Sequence, residues 1–146
     1  PDLIGRNRTM VTINGALAVD IHGQVVADTI AGAQYSGIGG HEDFISGPAL
    51  SLEDRSLLCL PSTVEIDGEV RSRIVPYLDA GAVVTTPRHQ VDVIVTEHGA
   101  AELQGLTVHQ RGRALAEIAH PDFRDELREA AERASGGRSA VPPGGG

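Results

Sequence analysis

Lysine is missing from all 146 residues, and every basic side chain is an arginine. Within this chain that excludes a Schiff-base lysine and the lysine of a phosphate-binding P-loop. Tryptophan is also missing and aromatic residues make up only 3%, so Val, Ile, Leu and Ala must build the interior. A lone cysteine, Cys59, excludes an internal disulfide. Its place in the apolar run "SLLCLP" marks it as a small buried hydrophobe rather than a nucleophile. No apolar run nears the roughly 20 residues of a membrane span, and no signal peptide is seen, so neither membrane nor export is expected and the cytoplasm is the default location. Positive charge is scarce as well, the formal net charge being −8. Phosphate backbones need a basic face, so nucleic acid is not an expected partner. A small anion can still bind through local backbone N–H groups, which net charge does not report.

What is present suits one domain, or a piece of a larger one: 40% of residues are apolar, enough for a packed core. The first residues, "PDLIGRNR", carry no initiator Met and read as cut. The last, "ASGGRSAVPPGGG", form a low-complexity tail. The expected organisation is a domain over residues 1–134 and a disordered tail over 135–146.

Along the chain, "TMVTIN" is β-rich, and "ALAVDI" and "QVVADTI" flank the turn signal "HG". "HEDFISGPALS" opens a helix after a glycine-rich turn, to be ended or kinked at Gly47-Pro48. "RSLLCLP" predicts a buried strand, and "TVEIDGEVRSRIVP" a hairpin around Asp67-Gly68. "GAVVTTP" and "VDVIVTE" resemble strands of a sheet covered on both faces. "AAELQG" fits a short helix ending near Gly105. "TVHQRGRALAEIA" fits a helix with Thr107 as N-cap and Val108, Ala114, Leu115 and Ile118 near one face. Pro121 suits the first turn of a last helix in which Phe123, Leu127 and Ala131 recur at a spacing of four. Strands followed by helices that pack back on them predict a layered α/β domain: an open, mostly parallel or mixed sheet flanked by helices.

The segment "YSGIGGHEDF" is the first place to look for chemistry. A glycine-rich turn leading into a helix presents unpaired N–H groups to an anion and lets a ligand approach the backbone. The pattern lacks the later glycine of the dinucleotide fingerprint, and no GK[ST] follows. A ligand loop and a plain structural corner both fit it. No HxH or HExxH arrangement joins His22, His41, His89, His98, His109 and His120, so no zinc site is expected. Glu42 and Asp43 could be an acid/base pair or acids complementing a helix N-terminus. Glu97 ends a strand, where open α/β sheets place ligands; nucleophile, base and helix cap are all open to it, the cap being the simplest. Arg73 and Arg88 flank apolar strands and suit phosphates or ion pairs.

Taken in order, "INGALAVDIHGQVVADTI", "YSGIGGHEDF", "LPST", "SRIVP", "VVTTPRHQVDVIVTEHGAAELQGLT" and "IAHPDFRDELREAA" resemble the C-terminal domain of the acetyl-CoA hydrolase/transferase family, which includes 4-hydroxybutyrate and acetate CoA-transferases. The resemblance spans about Pro1 to Ala134. It implies the NagB/RpiA/CoA-transferase-like fold, with two similar open α/β domains in the whole enzyme and a ping-pong reaction. A glutamate attacks acyl-CoA to give an acyl anhydride. CoA thiolate returns to form a glutamyl-CoA thioester, which a second carboxylate attacks. Carried over by position, the resemblance implies CoA contacts at Leu17, Gly37, Gly39 and Gly40, with Gly40 foremost, and supporting roles for Asn14 and Glu97. Acyl-CoA and a short-chain carboxylate are the implied substrates, with no permanently bound cofactor.

The sequence departs from the family pattern at three places. His41 and Glu42 stand where an uncharged and an apolar residue are common. His98 stands where Tyr is common. The hairpin after "LPST" carries no lysine. The family's catalytic glutamate sits in an "H-[ST]-E-M"-like segment upstream of every motif quoted, and this chain has none. The expectation is therefore a fragment with no catalytic residue of its own, completed by an upstream catalytic domain. A free-standing CoA-binding or interaction module is the alternative. If the cut exposes an apolar face, self-association, a homodimer included, is expected.

Overall fold

The computed structural model describes residues 6, 7, 9–30, 33, 34, 36, 37, 39–46 and 54–135. Residues 136–146 of the expected tail, and the Gly47-Pro48 pair, lie outside them.

A four-stranded sheet carries the fold. Its strands run in the order β1 (Val11–Gly15), β6 (Arg55–Cys59), β10 (Val93–Thr96), β11 (Gly99–Glu102). The first three are parallel, and β11 returns antiparallel to β10. Between β1 and β6 the chain makes β2 (Ala18–Asp20), β3 (Val25–Val26), β4 (Thr29–Ile30), β5 (Ala33–Gln34) and the short helix α1 (His41–Ser46). Between β6 and β10 come β7 (Thr63–Ile66), β8 (Glu69–Ser72) and β9 (Ile74–Val75). Strands β3, β2 and β9 form a second, smaller sheet. The chain ends in α2 (Val108–Ile118), a 3-10 turn (Pro121–Phe123) and α3 (Arg124–Ser135). This is the mixed, helix-flanked α/β arrangement expected.

Local chemistry explains the turns. Asp20, buried, accepts from the N–H groups of His22 and Gln24, closing the corner in which Gly23 takes a positive φ. Asp67 and Gly68 both have positive φ, as a two-residue hairpin between β7 and β8 requires. Thr107 and Gln110 form a reciprocal capping box at the start of α2. His120 accepts from Asp122 N–H at the 3-10 turn.

The helices cover one face of the large sheet. The Thr12 hydroxyl donates to the Phe44 carbonyl of α1, and the Thr96 hydroxyl to the Ile118 carbonyl of α2. The register puts Thr12, Ser56, Leu58, Ile94, Thr96 and Ala101 on that face, all buried. The core continues through Val19, Ile21, Ile74, Leu103, Leu115 and Leu127. The opposite face holds Val11, Ile13, Leu57, Cys59, Val93, Val95 and Ala100; there Val93 is buried, while Val11 is 53% and Ile13 68% exposed.

Four expectations are corrected. Among the described residues both faces are covered at β10, where Val93 and Ile94 are buried, but only one at β1, where Val11 and Ile13 are exposed. "AAELQG" is not a helix: residues 99–102 pair with β10, because so short a helix has little stability of its own to set against the ladder that β10 offers. "GAVVTTP" contains no strand; Thr86 bridges Val25 in isolation, and Val83 and Val84 stay exposed. Cys59 is only half-buried, because β6 alternates and its side chain points to the uncovered face. Among the described residues no helix is long and apolar enough to cross a membrane.

Candidate functional site

The carboxyl ends of the three parallel strands meet at one place, where open α/β sheets bind ligands. Asn14 lies near the end of β1, Ser62 follows β6, and Glu97 follows β10. The lateral order is fixed by Ala16 N–H donating to Cys59 O and Leu60 N–H to Val95 O, both at 3.0 Å.

Glu97 is not the helix cap expected, since a strand follows it. Instead its carboxylate receives both donors of fully buried Ser62: the N–H at 2.9 Å and the hydroxyl. His98 Nε2 lies 3.5 Å away. The Ser62 hydroxyl bond, backbone N–H bonds and the His98 ring together hold the Glu97 carboxyl at about 2. At neutral pH it is a fixed anion with its oxygens engaged, which suits it poorly to be a nucleophile, an acid or a base. Asn14 differs: its Nδ2 is buried and makes no hydrogen bond among the described residues. A spare amide donor at a strand end can serve a carbonyl oxygen.

Beside the strand ends runs a groove of about 460 Å³. Its walls are mostly apolar, including Leu17, Val26, Val64, Ile66 and Leu78, with Arg71, Arg73 and Asp79 as the charged residues. Arg73 connects groove and strand ends: its N–H donates to Ser62 O at 2.8 Å, and its guanidinium to Leu17 O at 3.0 Å. Arg73 Nε is buried without a partner among the described residues. Arg71 is exposed and paired with Glu69 at 2.8 Å.

The glycine turn stands apart. Gly37, Gly39 and Gly40 are exposed and none lines the groove. Gly39 has φ +54°, and a Cβ on Gly40 would meet the Phe44 ring at 3.1 Å. Glu42 and Asp43 occupy the first turn of α1. His41, by contrast, is buried, with Nε2 2.9 Å from Thr86 Oγ1.

Of the residues singled out from sequence, Asn14 and Glu97 thus share the strand ends, Leu17 lies in the adjoining groove, and the glycines form a separate corner. Arg88 offers its carbonyl to Arg111. Ser62 and Arg71 were not singled out; the turn signal directly after the strand "RSLLCLP" could have indicated Ser62. Among the described residues no group of three or more His, Cys, Asp or Glu could hold a metal ion.

These features define an open α/β domain with a candidate site at a sheet's carboxyl edge. The pattern described as "Acetyl-CoA hydrolase/transferase C-terminal domain" matches residues 1–131, and the chain belongs to that family. The 4-hydroxybutyrate coenzyme A transferase of Clostridium kluyveri is 49% identical over 127 residues, 87% of this chain and 29% of the relative. The structure of RipA from Yersinia pestis superposes with a TM-score of 0.80 at 43% identity, covering 92% of this chain and 30% of that one. The 4-hydroxybutyrate CoA-transferase of Porphyromonas gingivalis gives 0.71 at 41%, covering 92% and 29%. The chain therefore spans under a third of the length of these relatives.

Proposed function

We propose that this chain is the CoA-holding part of an enzyme that moves CoA between short-chain acyl groups, or hydrolyses acyl-CoA. CoA lies along the groove beside Leu17, its phosphates facing Arg71 and Arg73, with the glycine turn through Gly40 on the CoA side. The thioester reaches the strand ends, where the spare Asn14 amide donates to its carbonyl oxygen and the Glu97–Ser62 pair fixes the local backbone. CoA enters as substrate, with no resident cofactor, and the cytoplasm is the expected compartment.

The nucleophile is a glutamate supplied from upstream in the longer protein. Its carboxylate attacks the thioester carbon and expels CoA thiolate, giving an acyl–glutamyl anhydride. The thiolate then attacks the glutamyl carbonyl, forming glutamyl-CoA and releasing the acid. An incoming carboxylate reverses these steps to leave with CoA; water in its place gives hydrolysis. Support for an external nucleophile comes from Glu97 itself, whose oxygens are committed to Ser62. The uncovered apolar face around Ile13 supports docking of that upstream polypeptide.

One observation carries the CoA assignment: Leu17, named from its motif, walls an apolar groove that also holds two guanidinium groups. Calorimetric titration of CoA into the chain tests it. Binding should weaken about tenfold, or 1.4 kcal/mol, in Arg73→Ala, and also in Leu17→Asp. Equal affinity in the wild type and both variants would overturn it. After incubation with acyl-CoA, intact mass should show no adduct; glutamyl-CoA on Glu97 or Glu42 would overturn the external nucleophile.

A further inference from the structure

Both ends of the glycine turn are tied to one piece of scaffold. Ser36 N–H donates to the Asp28 carbonyl at 3.1 Å, and His41 Nε2 meets Thr86 Oγ1 at 2.9 Å. The receiving segments are laced together. Val25 N–H donates to Thr86 O and Thr86 N–H to Val25 O, each at 3.1 Å. The Thr85 hydroxyl donates to Asp28 Oδ1 at 2.6 Å and accepts from Ala27 N–H at 2.9 Å. The same scaffold walls the groove, since Val26 lines it and the Val26 carbonyl accepts from Leu17 N–H at 2.8 Å. Gly37, Gly39 and Gly40 have no side chains with which to hold themselves in place. His41, next in sequence, has one, and it is seated against fully buried Thr86.

We propose that His41 is the positioning residue of the glycine turn: its neutral ring, seated on Thr86, holds Gly37, Gly39 and Gly40 in fixed relation to the groove, and protonation unseats it. The proposal rests on the reading of this turn as a CoA-side loop. Two charged groups act on the ring, Glu42 of α1 and Asp28 after β3, while Thr86 offers a neutral hydroxyl. Burial pushes the His41 imidazole below its ordinary 6.5, and the two carboxylates pull part of the way back. The folded value lies below the unfolded one, so the seat is intact at neutral pH and is lost only as pH falls through that lowered value.

NMR of the full 146-residue chain between pH 8 and 5.5, paired with CoA titrations, tests the proposal. The Gly37, Gly39 and Gly40 amide signals should shift in step with the His41 ring. The apparent Kd for CoA should rise in acid by the inverse of the seated fraction, about twofold where half the turns are released. The 3′-phosphate of CoA titrates in the same range, so the comparison is between variants. His41→Gln, neutral at every pH and able to bond Thr86, should keep wild-type affinity at pH 8 and weaken less in acid. His41→Ala should bind more weakly throughout. Glycine amides that ignore the His41 titration, or a His41→Gln profile as steep as the wild type, overturn the role. If the wild type binds no CoA at pH 8, the CoA reading fails; the glycine amides then decide the seat, coupling supporting it and independence overturning it.

Discussion

Gly112→Ala adds one carbon at the α2–α3 crossing. That carbon would lie 2.6 Å from Ala131 Cβ, and 3.4 Å from both Ala131 Cα and Ile21 Cβ. Non-bonded carbons settle at about 3.5–4.0 Å, so the crossing must open by roughly 1 Å. No flexible side-chain end can yield, because Ala131 Cβ moves only with its own helix. Leu115, Ala116, Ala130 and Ala131 around the crossing are all buried, so the opening is felt across the pair. Overpacking of this kind costs about 1–3 kcal/mol, against about 1 kcal/mol gained in helix propensity over glycine. The size of the overlap puts the cost at the upper end, leaving a net loss of about 1–2 kcal/mol. Urea unfolding followed by circular dichroism should show a lower midpoint at unchanged slope. Ala131→Gly makes room for the new carbon, so the double variant should exceed the sum of the single effects by about 1 kcal/mol or more. A G112A chain as stable as the wild type, or a cycle additive within about 0.5 kcal/mol, refutes the close-packing argument.

Other predictions concern the site and the bare face. Asn14→Leu removes an amide nitrogen that makes no bond among the described residues, so the urea midpoint should hold or rise while CoA affinity falls; a fall in both would make Asn14 a structural residue. Glu97, depressed to about 2, contributes stability that is complete above about 4.5 and lost as pH falls through about 2. Glu97→Gln should therefore flatten the acid limb of the stability curve, and unchanged limbs would contradict the Ser62 attachment. Ile13→Asp, on an exposed position, should change stability by no more than about 0.5 kcal/mol. It should still abolish any concentration-dependent mass in sedimentation and any association with an upstream fragment of a family relative. Association that survives the change would place the contact elsewhere.

Legibility varied with how local the cause was. The Asp67-Gly68 hairpin and the Thr107 cap each depend on a few neighbouring residues and stand where the sequence puts them, whereas Pro121 opens a 3-10 turn that leads into α3 only at Arg124. The fate of "AAELQG" was decided by β10, a partner that periodicity does not report. "GAVVTTP" has strand composition, but only Thr86 of it finds a partner, the isolated bridge to Val25. At the site, Asn14 and Glu97 were legible as strand-end residues and Leu17 through its motif. The Ser62–Glu97 attachment joins residues 35 positions apart, and the Arg73 reach to Leu17 spans 56. Only folding brings such pairs together.

The parallel ladder has a kinetic consequence. Strand β1 is made before its partner β6 and that strand's neighbour β10, which emerge only after two long connections. Helices α2 and α3, by contrast, are adjacent in sequence and pack directly on each other. Non-local pairing must meet its loop-closure cost before it gains contacts. During synthesis β1 therefore waits with its ladder N–H and C=O groups unpaired and Thr12 uncovered, while the late helical pair condenses within itself as soon as it is released. The slow event in refolding is the capture of β1 by β6, and that is when copies of the chain are most prone to stick to one another.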